Sequence, residues 1–397
     1  MKILLVTERY WPEVGAAPSR LTNMAEGLKD VGCEVDVLTC LPNYPKGKIE
    51  DNYRGRLSMK ELHNEIDLYR YWIYATVSKS PVLRVLNMFS FAITMWLFAL
   101  KRRKIKDYDR VIIQTPSLVI AASAMLIFKK LYGKCCVLNV SDIWPLTAFD
   151  MGAMTKESKS YKFMAMLERF LYRNSDAIFA QSQETIDYIR NLHPEKDFFL
   201  YRNLQRYKVA EPKSAKGKPL KIVYAGLLGV AQDILSLLKN VDFAGLGAEM
   251  HLYGGGNQVS EIESYLKENP GGVFYHGFVE KTRMAEELGK YDASIVPLAV
   301  RITGAVPSKI FDLIPIGLPI LFCGGGEGVN IINKYGVGFI SEPGDYEGLT
   351  ENIRRLSEMN DEEYCQISKN CINAVKTDFD FDIQMHKCFD YLEKIQK

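Results

Sequence analysis

The chain has 397 residues and a mass of 45.2 kDa, a length that is typical of two domains. Hydrophobic residues make up 47% and charged residues 25%, a composition that excludes a disordered or fibrous protein. The net charge is only +2, so we predict no nucleic-acid partner.

The positive charge is concentrated in the first half of the chain. Residues 1–200 contain 28 Lys and Arg against 22 Asp and Glu, whereas residues 201–397 contain 22 against 26. This asymmetry predicts that the first half contacts an anionic partner. No signal peptide is recognisable, and the eight cysteines include no Cys-x-x-Cys pair. We therefore expect a cytoplasmic, reducing location without a disulfide framework or structural zinc.

Short apolar segments alternate with helix-length segments along both halves of the chain. Continuous apolar runs of this kind are typical of parallel strands that are buried on both faces. In the first half they are 2–7, 34–40, 110–115, 135–141 and 177–182, and in the second half 221–226, 249–255, 273–278, 293–298 and 319–324. The pattern predicts an α/β protein with two Rossmann-like domains whose parallel sheets face a cleft.

The domain boundaries follow from the composition between these strands. Residues 206–219 are rich in Lys, Ala and Pro and predict a linker. We assign 1–205 to the first domain, on the acceptor side, and 220–379 to the second. The segment 380–397 has helical periodicity, and we expect this terminal helix to cross back to the first domain.

One apolar stretch differs from the predicted strands. From Val85 to Leu100 no residue is charged, while Arg84 precedes the stretch and four basic residues, 101–104, follow it. As a helix it would be about 24 Å long, shorter than the roughly 30 Å that a membrane span requires. Residues 84–104 predict either a peripheral membrane contact or a core helix with a solvated basic end.

The segment with the most candidate ligand-binding residues is 303–327, TGAVPSKIFDLIPIGLPILFCGGGE. Pro307 favours the first turn of a helix, and Gly304 lets the backbone approach a ligand. Backbone N–H groups at a helix start, with Lys309 in the first turn, suit a phosphate. Asp312, one turn later, suits the hydroxyls of a ribose. Together they predict a nucleoside-diphosphate site.

This segment resembles the nucleotide-binding signature of the GT-B glycosyltransferases of family 4, the group 1 enzymes. Other stretches agree in the same order: 13–21, 222–233, 253–256, 276–279 and 291–298. The stretch VSDIWPL (140–146) is similar to the branch that builds bacterial O-antigen and capsule, including transferases of L-fucosamine and other N-acetylamino sugars.

The resemblance implies a set of site residues. Lys309 and Asp142 are the implied catalytic residues. The implied donor-binding residues are Gly15, Ala16, Gly226, Gly229, Phe278, Val279, Arg301, Gly304, Ala305, Val306, Ser308, Lys309 and Asp312. On the acceptor side we select Tyr10, Trp11 and Trp144, each of which could equally be a packing residue.

The chain departs from the family pattern at three places. Gly304 stands where the family has its first acidic residue, and Ser141 stands where a His often precedes the Asp. Apolar Leu227, Leu228 and Val230 replace a frequent basic pair. We therefore expect Lys309, with Arg301, to supply the positive charge that binds the donor.

The resemblance implies a retaining transfer, with no cofactor and no metal, from a UDP-linked sugar. The expected acceptor is a saccharide linked to polyprenyl diphosphate at the inner face of the cytoplasmic membrane. A UDP-sugar 2-epimerase of the same architecture and an inactive nucleotide-binding regulator remain as alternatives. An NAD-linked oxidoreductase is disfavoured because no G-x-G-x-x-G motif is present.

Overall fold

The computed structural model describes residues 1–78 and 80–395, which form two compact units. The first unit comprises Met1–Asn203 and Phe381–Lys397, and the second comprises Leu204–Asp380. The last two residues of the predicted terminal segment, 396 and 397, lie outside the described residues.

The first unit contains an eight-stranded sheet. Its strands are β1 (Lys2–Val6), β2 (Glu34–Cys40), β3 (Ser58–His63), β4 (Ile66–Tyr71), β5 (Arg110–Gln114), β6 (Cys135–Val140), β7 (Ala177–Ala180) and β8 (Asp197–Leu200). They lie in the order β3-β4-β2-β1-β5-β6-β7-β8. All neighbours are parallel except β3 and β4, which form a hairpin closed at Asn64 and Glu65, both with positive φ.

Helices cover this sheet on both faces. They are α1 (Ala16–Asp30), α2 (Pro81–Thr94), α3 (Trp96–Ala99), α4 (Arg102–Asp107), α5 (Leu118–Met125), α6 (Leu146–Asp150), α7 (Lys159–Asn174) and α8 (Gln183–Leu192). Short 3₁₀ and π-helical segments occupy Asp51–Tyr53 and Leu126–Leu131. The core strands are buried throughout because apolar helices pack on each face.

The second unit contains a six-stranded sheet that is parallel throughout. Its strands are β9 (Leu220–Ala225), β10 (Ala248–Tyr253), β11 (Val273–Tyr275), β12 (Ala293–Pro297), β13 (Ile320–Cys323) and β14 (Gly338–Ser341). Their order is β11-β10-β9-β12-β13-β14, which is the doubly wound arrangement. Ligand loops in such sheets follow the carboxyl ends of the strands.

The helices of the second unit connect these strands. They are α9 (Ile234–Asn240), α10 (Val259–Glu268), α11 (Lys281–Leu288), α12 (Lys309–Leu313), α13 (Glu327–Tyr335), α14 (Tyr346–Glu358) and α15 (Asp361–Ala374). A 3₁₀ turn at Ile314–Ile316 follows α12, and a π-helical segment at Val375–Phe379 follows α15.

The last helix, α16 (Phe381–Lys394), packs on α1 in the first unit. Gly27 of α1 permits the close approach, because a β-carbon there would lie 2.8 Å from the side chains of both Met385 and Phe381. Arg110 donates hydrogen bonds to the carbonyl of Leu392 at 3.0 Å and to that of Ile395 at 2.9 Å. These bonds satisfy carbonyls at the end of the helix.

The predicted α/β class is confirmed, with all ten predicted strands present. The apolar stretch is helical in two assigned parts, α2 to Thr94 and α3 from Trp96, which join through Met95 in helical conformation. One detail of the prediction is wrong. The helix expected to begin at Pro307 is assigned from Lys309, with Ser308 as its N-cap, and contains only five residues. Pro307 still accepts a backbone bond from Ile310 at 3.1 Å.

Candidate functional site

Three glycine loops meet at the carboxyl ends of β9, β10 and β11. The N–H of Leu228 donates to the carbonyl of Gly255 at 2.9 Å, and the N–H of Gly254 donates to the carbonyl of Gly277 at 2.7 Å. A β-carbon on Gly254 would collide with the carbonyl of Gly226. The loops can approach this closely only because these positions lack side chains.

Lys309 extends into this group of loops from the start of α12. Its Nζ donates a hydrogen bond to the hydroxyl of Tyr224 at 2.8 Å and lies 4.2 Å from the centre of that ring. The Tyr224 hydroxyl donates in turn to the carbonyl of Leu227 at 2.6 Å. A β-carbon on Gly226 would overlap the end of the Lys309 side chain. Lys309 is therefore held at one place beside the loop that follows β9.

Burial changes the acidity of this lysine. Loss of hydration lowers the pKa of Lys309 to about 8, while the carboxylate of Asp312 opposes the shift. The ammonium ion that remains at neutral pH donates a hydrogen bond to the neutral hydroxyl of Tyr224. Such a poorly solvated cation gains strongly from an anion placed beside it.

Asp312 lies within one helical turn of Lys309 and is held by Tyr207 of the predicted linker and by Gln205 just before it. Its Oδ1 accepts a hydrogen bond from the Tyr207 hydroxyl at 2.9 Å and one from Gln205 Nε2 at 3.3 Å. Burial and the Asp312 charge raise the pKa of Tyr207, which keeps its hydroxyl a donor. Part of the segment predicted as a plain linker thus orients a site residue.

The other residues of the second unit that were predicted to bind the donor lie on neighbouring loops. Gly304 is buried with a φ of 77°, and Ala305, Val306 and Ser308 are half-buried. Phe278 is 80% exposed and Val279 is half-buried after β11. The Gly229 carbonyl accepts the N–H of Asp233 at 3.0 Å, and a β-carbon on Gly325 would contact the Arg301 side chain at 3.1 Å.

In the first unit, Gly15 is the N-cap of α1 and Ala16 is its first residue. A β-carbon on Gly15 would lie 3.2 Å from the ring of Tyr44. Among the aromatic candidates, Tyr10 is buried in the core. Trp11 stacks on His63 with ring centres 3.8 Å apart, and Trp144 is half-buried against the core.

Asp142 follows β6 and is half-buried. Loss of hydration raises the pKa of its carboxyl, and the positive charge of Arg20 opposes this shift. Arg20 is itself buried and donates to the hydroxyl of Ser141 at 2.6 Å. With its amide oxygen toward Arg20, Gln181 accepts from Nε at 3.0 Å and from Nη1 at 2.8 Å. No sequence pattern points to Arg20, which lies within a helix.

Within the parts of the chain that the structure describes, no three His, Cys, Asp or Glu side chains are grouped so as to hold a metal ion. The eight cysteines are free thiols, and seven of them are buried.

Comparison with known proteins identifies both units. Residues 15–197 match the Glycosyl transferase 4-like domain, and residues 220–359 match Glycosyl transferases group 1. Each unit carries a glycosyltransferase domain. The predicted resemblance to GT-B glycosyltransferases is thereby confirmed at the level of domains, whereas the resemblance to L-fucosamine transferases stays a prediction.

Solved glycosyltransferase structures share the fold along the whole chain. Sucrose-phosphate synthase from Thermosynechococcus elongatus aligns with a TM-score of 0.73 at 14% identity, covering 100% of both chains. HepE from Anabaena, solved in complex with UDP, aligns with a TM-score of 0.67 at 15% identity, covering 99% of this chain and 100% of its own. At such identities the likeness shows the fold alone.

One relative is a protein of Escherichia coli (strain K12) with the description "Putative colanic acid biosynthesis glycosyl transferase WcaI". It is 28% identical over 180 residues, which is 45% of this chain and 44% of the relative. The match thus spans less than half of the relative's length.

Proposed function

We propose that this protein is a retaining glycosyltransferase that moves a sugar from a UDP-linked donor to a lipid-linked saccharide. The observation that carries the proposal is the position of Lys309, held by Tyr224 beside the glycine loops that end β9 and β10. A cation at the carboxyl edge of a doubly wound sheet is suited to a nucleotide's phosphates.

Lys309 has a clear part in such a reaction. When the bond between the anomeric carbon and the β-phosphate oxygen breaks, negative charge grows on the diphosphate. A cation fixed in a poorly hydrated place stabilises that charge more in the transition state than in the bound donor. With a pKa of about 8, Lys309 is mostly charged at neutral pH.

Asp312 is proposed to accept hydrogen bonds from the ribose hydroxyls. The bond from Tyr207 fixes one carboxylate oxygen and so limits how the group can turn. Backbone groups of residues 304–306, with Ser308, are proposed to contact the diphosphate. Phe278 and Val279 are proposed to contact the base, and Arg301 and Gly229 the donor's other groups. HepE, which has the same fold, was solved with UDP, and this shared fold is the support for uracil as the base.

The first unit is proposed to supply the acceptor side. Asp142 is proposed to orient a hydroxyl of the donor sugar or of the acceptor, with Gly15 and Ala16 near the donor's phosphates. Trp11 and Trp144 are half-buried and offer aromatic surface to a sugar. Tyr10 is proposed only to support Trp11 from within the core.

Residues 84–104 are proposed to contact the inner face of the cytoplasmic membrane. Val82–Ala99 is long and apolar enough to cross a membrane by length and composition alone, with a mean hydropathy of 1.6. We favour a peripheral contact, because Phe91, Met95 and Phe98 of this stretch belong to the core of the first unit. A helix that crossed the membrane would have to remove these three side chains from the core.

The proposed pathway is the synthesis of a bacterial surface polysaccharide, O-antigen or capsule. Support comes from the described role of the Escherichia coli relative in colanic acid biosynthesis. The proposed donor sugar is an N-acetylamino sugar such as L-fucosamine.

The test is a panel of nucleotide sugars, assayed by thermal shift and by release of nucleoside diphosphate, with Lys309→Ala as the control. A transferase releases diphosphate slowly from its donor without an acceptor. An epimerase interconverts the nucleotide sugar instead, and a regulator binds nucleotide without either reaction. Either of the last two results would overturn the proposal.

A further inference from the structure

The outward side of α7 carries a stripe that is both basic and apolar. The exposed side chains recur every three or four residues and so share one face of the helix. They are Lys159, Lys162, Phe163, Met166, Arg169 and Arg173. None of the four cations makes an ion pair with any residue that the structure describes. Glu168, the acidic residue within the helix, is buried on the other side.

A second stripe runs along α2 and α3 at the same spacing. Its members are exposed and entirely apolar: Val82, Leu86, Phe89, Ile93, Leu97 and Leu100. Ile93 is 65% exposed and Leu100 is 76% exposed. A run of exposed apolar side chains along about 18 residues is unusual for a surface that meets only water.

The two stripes belong to one layer of helices. Helix α5 packs against both α2 and α7, and all eight of its residues are buried. The outer helices of this layer are therefore α2 and α7. At the end of α3, the Tyr132 hydroxyl donates to the carbonyl of Ala99 at 2.5 Å. This bond ties the end of α3 to the segment that follows α5, where Leu131 is 59% exposed.

The exposed charges beside these two stripes are mostly positive, with Asp107 at the end of α4 and Glu157 just before α7 as exposed acids. Residues 68–106 and 110–141 contain neither Asp nor Glu. The exposed cations Arg84, Arg103 and Lys130 lie in these segments, in addition to the four on α7. An apolar surface bordered mainly by cations matches an anionic lipid surface, which offers apolar chains below negative headgroups.

We propose that α7 and the α2–α3 segment together form one docking surface for an anionic lipid bilayer. This inference rests on the membrane contact proposed for residues 84–104 and extends it to a second helix outside that segment. The apolar stripe of α2–α3 enters the headgroup boundary, and the cations of α7 contact lipid phosphates. Docking of a second copy is disfavoured because it would bring cationic stripes together.

The test is flotation of the full chain with phosphatidylcholine vesicles, with and without phosphatidylglycerol. Lys162→Glu/Arg169→Glu changes the charge of α7, and Phe163→Ser/Met166→Ser removes its apolar part. Ile93→Ser/Leu97→Ser changes the α2–α3 stripe. The matched control, Lys239→Glu/Lys267→Glu, reverses two exposed lysines of the second unit.

We expect the wild type and the control to float with anionic vesicles, and both α7 variants to bind them at least tenfold more weakly. If the α7 variants float like the wild type while the α2–α3 variant does not, the joint surface is overturned and the contact of residues 84–104 stands. If the wild type does not float, both membrane proposals fail. A wild-type dimer broken by the α7 variants would show that a second copy occupies the surface instead. UDP-induced thermal shifts, measured in parallel, test the transferase proposal separately.

Discussion

The ammonium group of Lys309 lies 2.8 Å from the hydroxyl of Tyr224, a residue 85 positions earlier in the chain. Tyr224 places the lysine and also ties down the loop that follows β9 through the carbonyl of Leu227. The hydroxyl therefore connects the cation to the glycine loop at which a donor diphosphate is proposed to bind.

Tyr224→Phe removes that hydroxyl and keeps the ring under the lysine. We expect a loss of about 1 kcal/mol in the free energy of unfolding, because one net hydrogen bond is lost. UDP affinity should fall by about fivefold, since Lys309 is less well placed. Urea unfolding and UDP titration measure the two effects. Unchanged UDP affinity would show that Tyr224 does not position Lys309.

Gly226→Ala tests the space that the lysine occupies. The added β-carbon would overlap the end of the Lys309 side chain, which can move aside at modest cost. Gly226 has a φ of 154°, and an alanine in that conformation adds strain of about 1 kcal/mol. We expect a small fall in Tm and a loss of UDP binding of more than about tenfold, a change of 1.4 kcal/mol.

Gly255→Ala is the matched control on the neighbouring loop, because a β-carbon there would meet nothing within 4 Å. It should bind UDP like the wild type. Equal losses of binding in both variants would contradict the placement of the nucleotide beside Lys309.

The pH dependence of UDP binding should follow the lysine. Because its pKa is about 8, Lys309 loses its charge as pH rises through 8, and UDP affinity should fall between pH 7 and pH 9. The unfolded chain keeps this proton up to about pH 10.5, so Lys309 makes unliganded stability rise with pH between 8 and 10.5. Lys309→Met should remove both the fall of UDP affinity and the rise of unliganded stability with increasing pH. Isothermal titration and urea unfolding at several pH values measure them, and a UDP affinity constant from pH 7 to 9 would contradict the prediction.

Glu168 makes the stability of the first unit change with pH in the direction opposite to the effect of Lys309. Burial raises the pKa of its carboxyl to about 7, while the Tyr172 hydroxyl bonded to it at 3.1 Å opposes the shift. Its contribution to stability is therefore full below about pH 4.5 and is lost as pH rises through 7.

Glu168→Gln should remove this slope and stabilise the protein at pH 8 by about 2 kcal/mol. Urea unfolding at pH 5 and pH 8 measures it, with the exposed Glu157→Gln as the control. A variant as stable as the wild type at pH 8 would show that the Glu168 carboxyl does not carry this dependence.

The sequence predicted the sheets well because buried parallel strands are continuous apolar runs. Four strands that the prediction lacked, β3, β4, β8 and β14, have other patterns. β3 and β4 form an antiparallel pair in which polar residues interrupt the apolar ones, and β8 and β14 are only four residues long. Such segments carry too little periodicity to be separated from loops.

The arrangement of the candidate site could be predicted only where its residues are neighbours in sequence. Lys309 and Asp312 share one segment, so spacing was informative. Tyr224 is in the middle of an apolar strand and resembles a core residue, and Tyr207 lies in a segment without regular structure. Arg20 looked like an ordinary helix residue. Their roles depend on contacts made by folding across tens of residues, which no local pattern contains.

We infer that a nucleoside diphosphate binds to the second unit at Lys309. The most direct measurement is thermal unfolding of the wild type and of Lys309→Ala during a titration with UDP. Ligand at about 100 times its dissociation constant stabilises a protein by about 2.7 kcal/mol. We predict a concentration-dependent rise in Tm for the wild type and none for the variant. A wild-type Tm that stays constant to millimolar UDP, or that rises equally in both proteins, would contradict the claim.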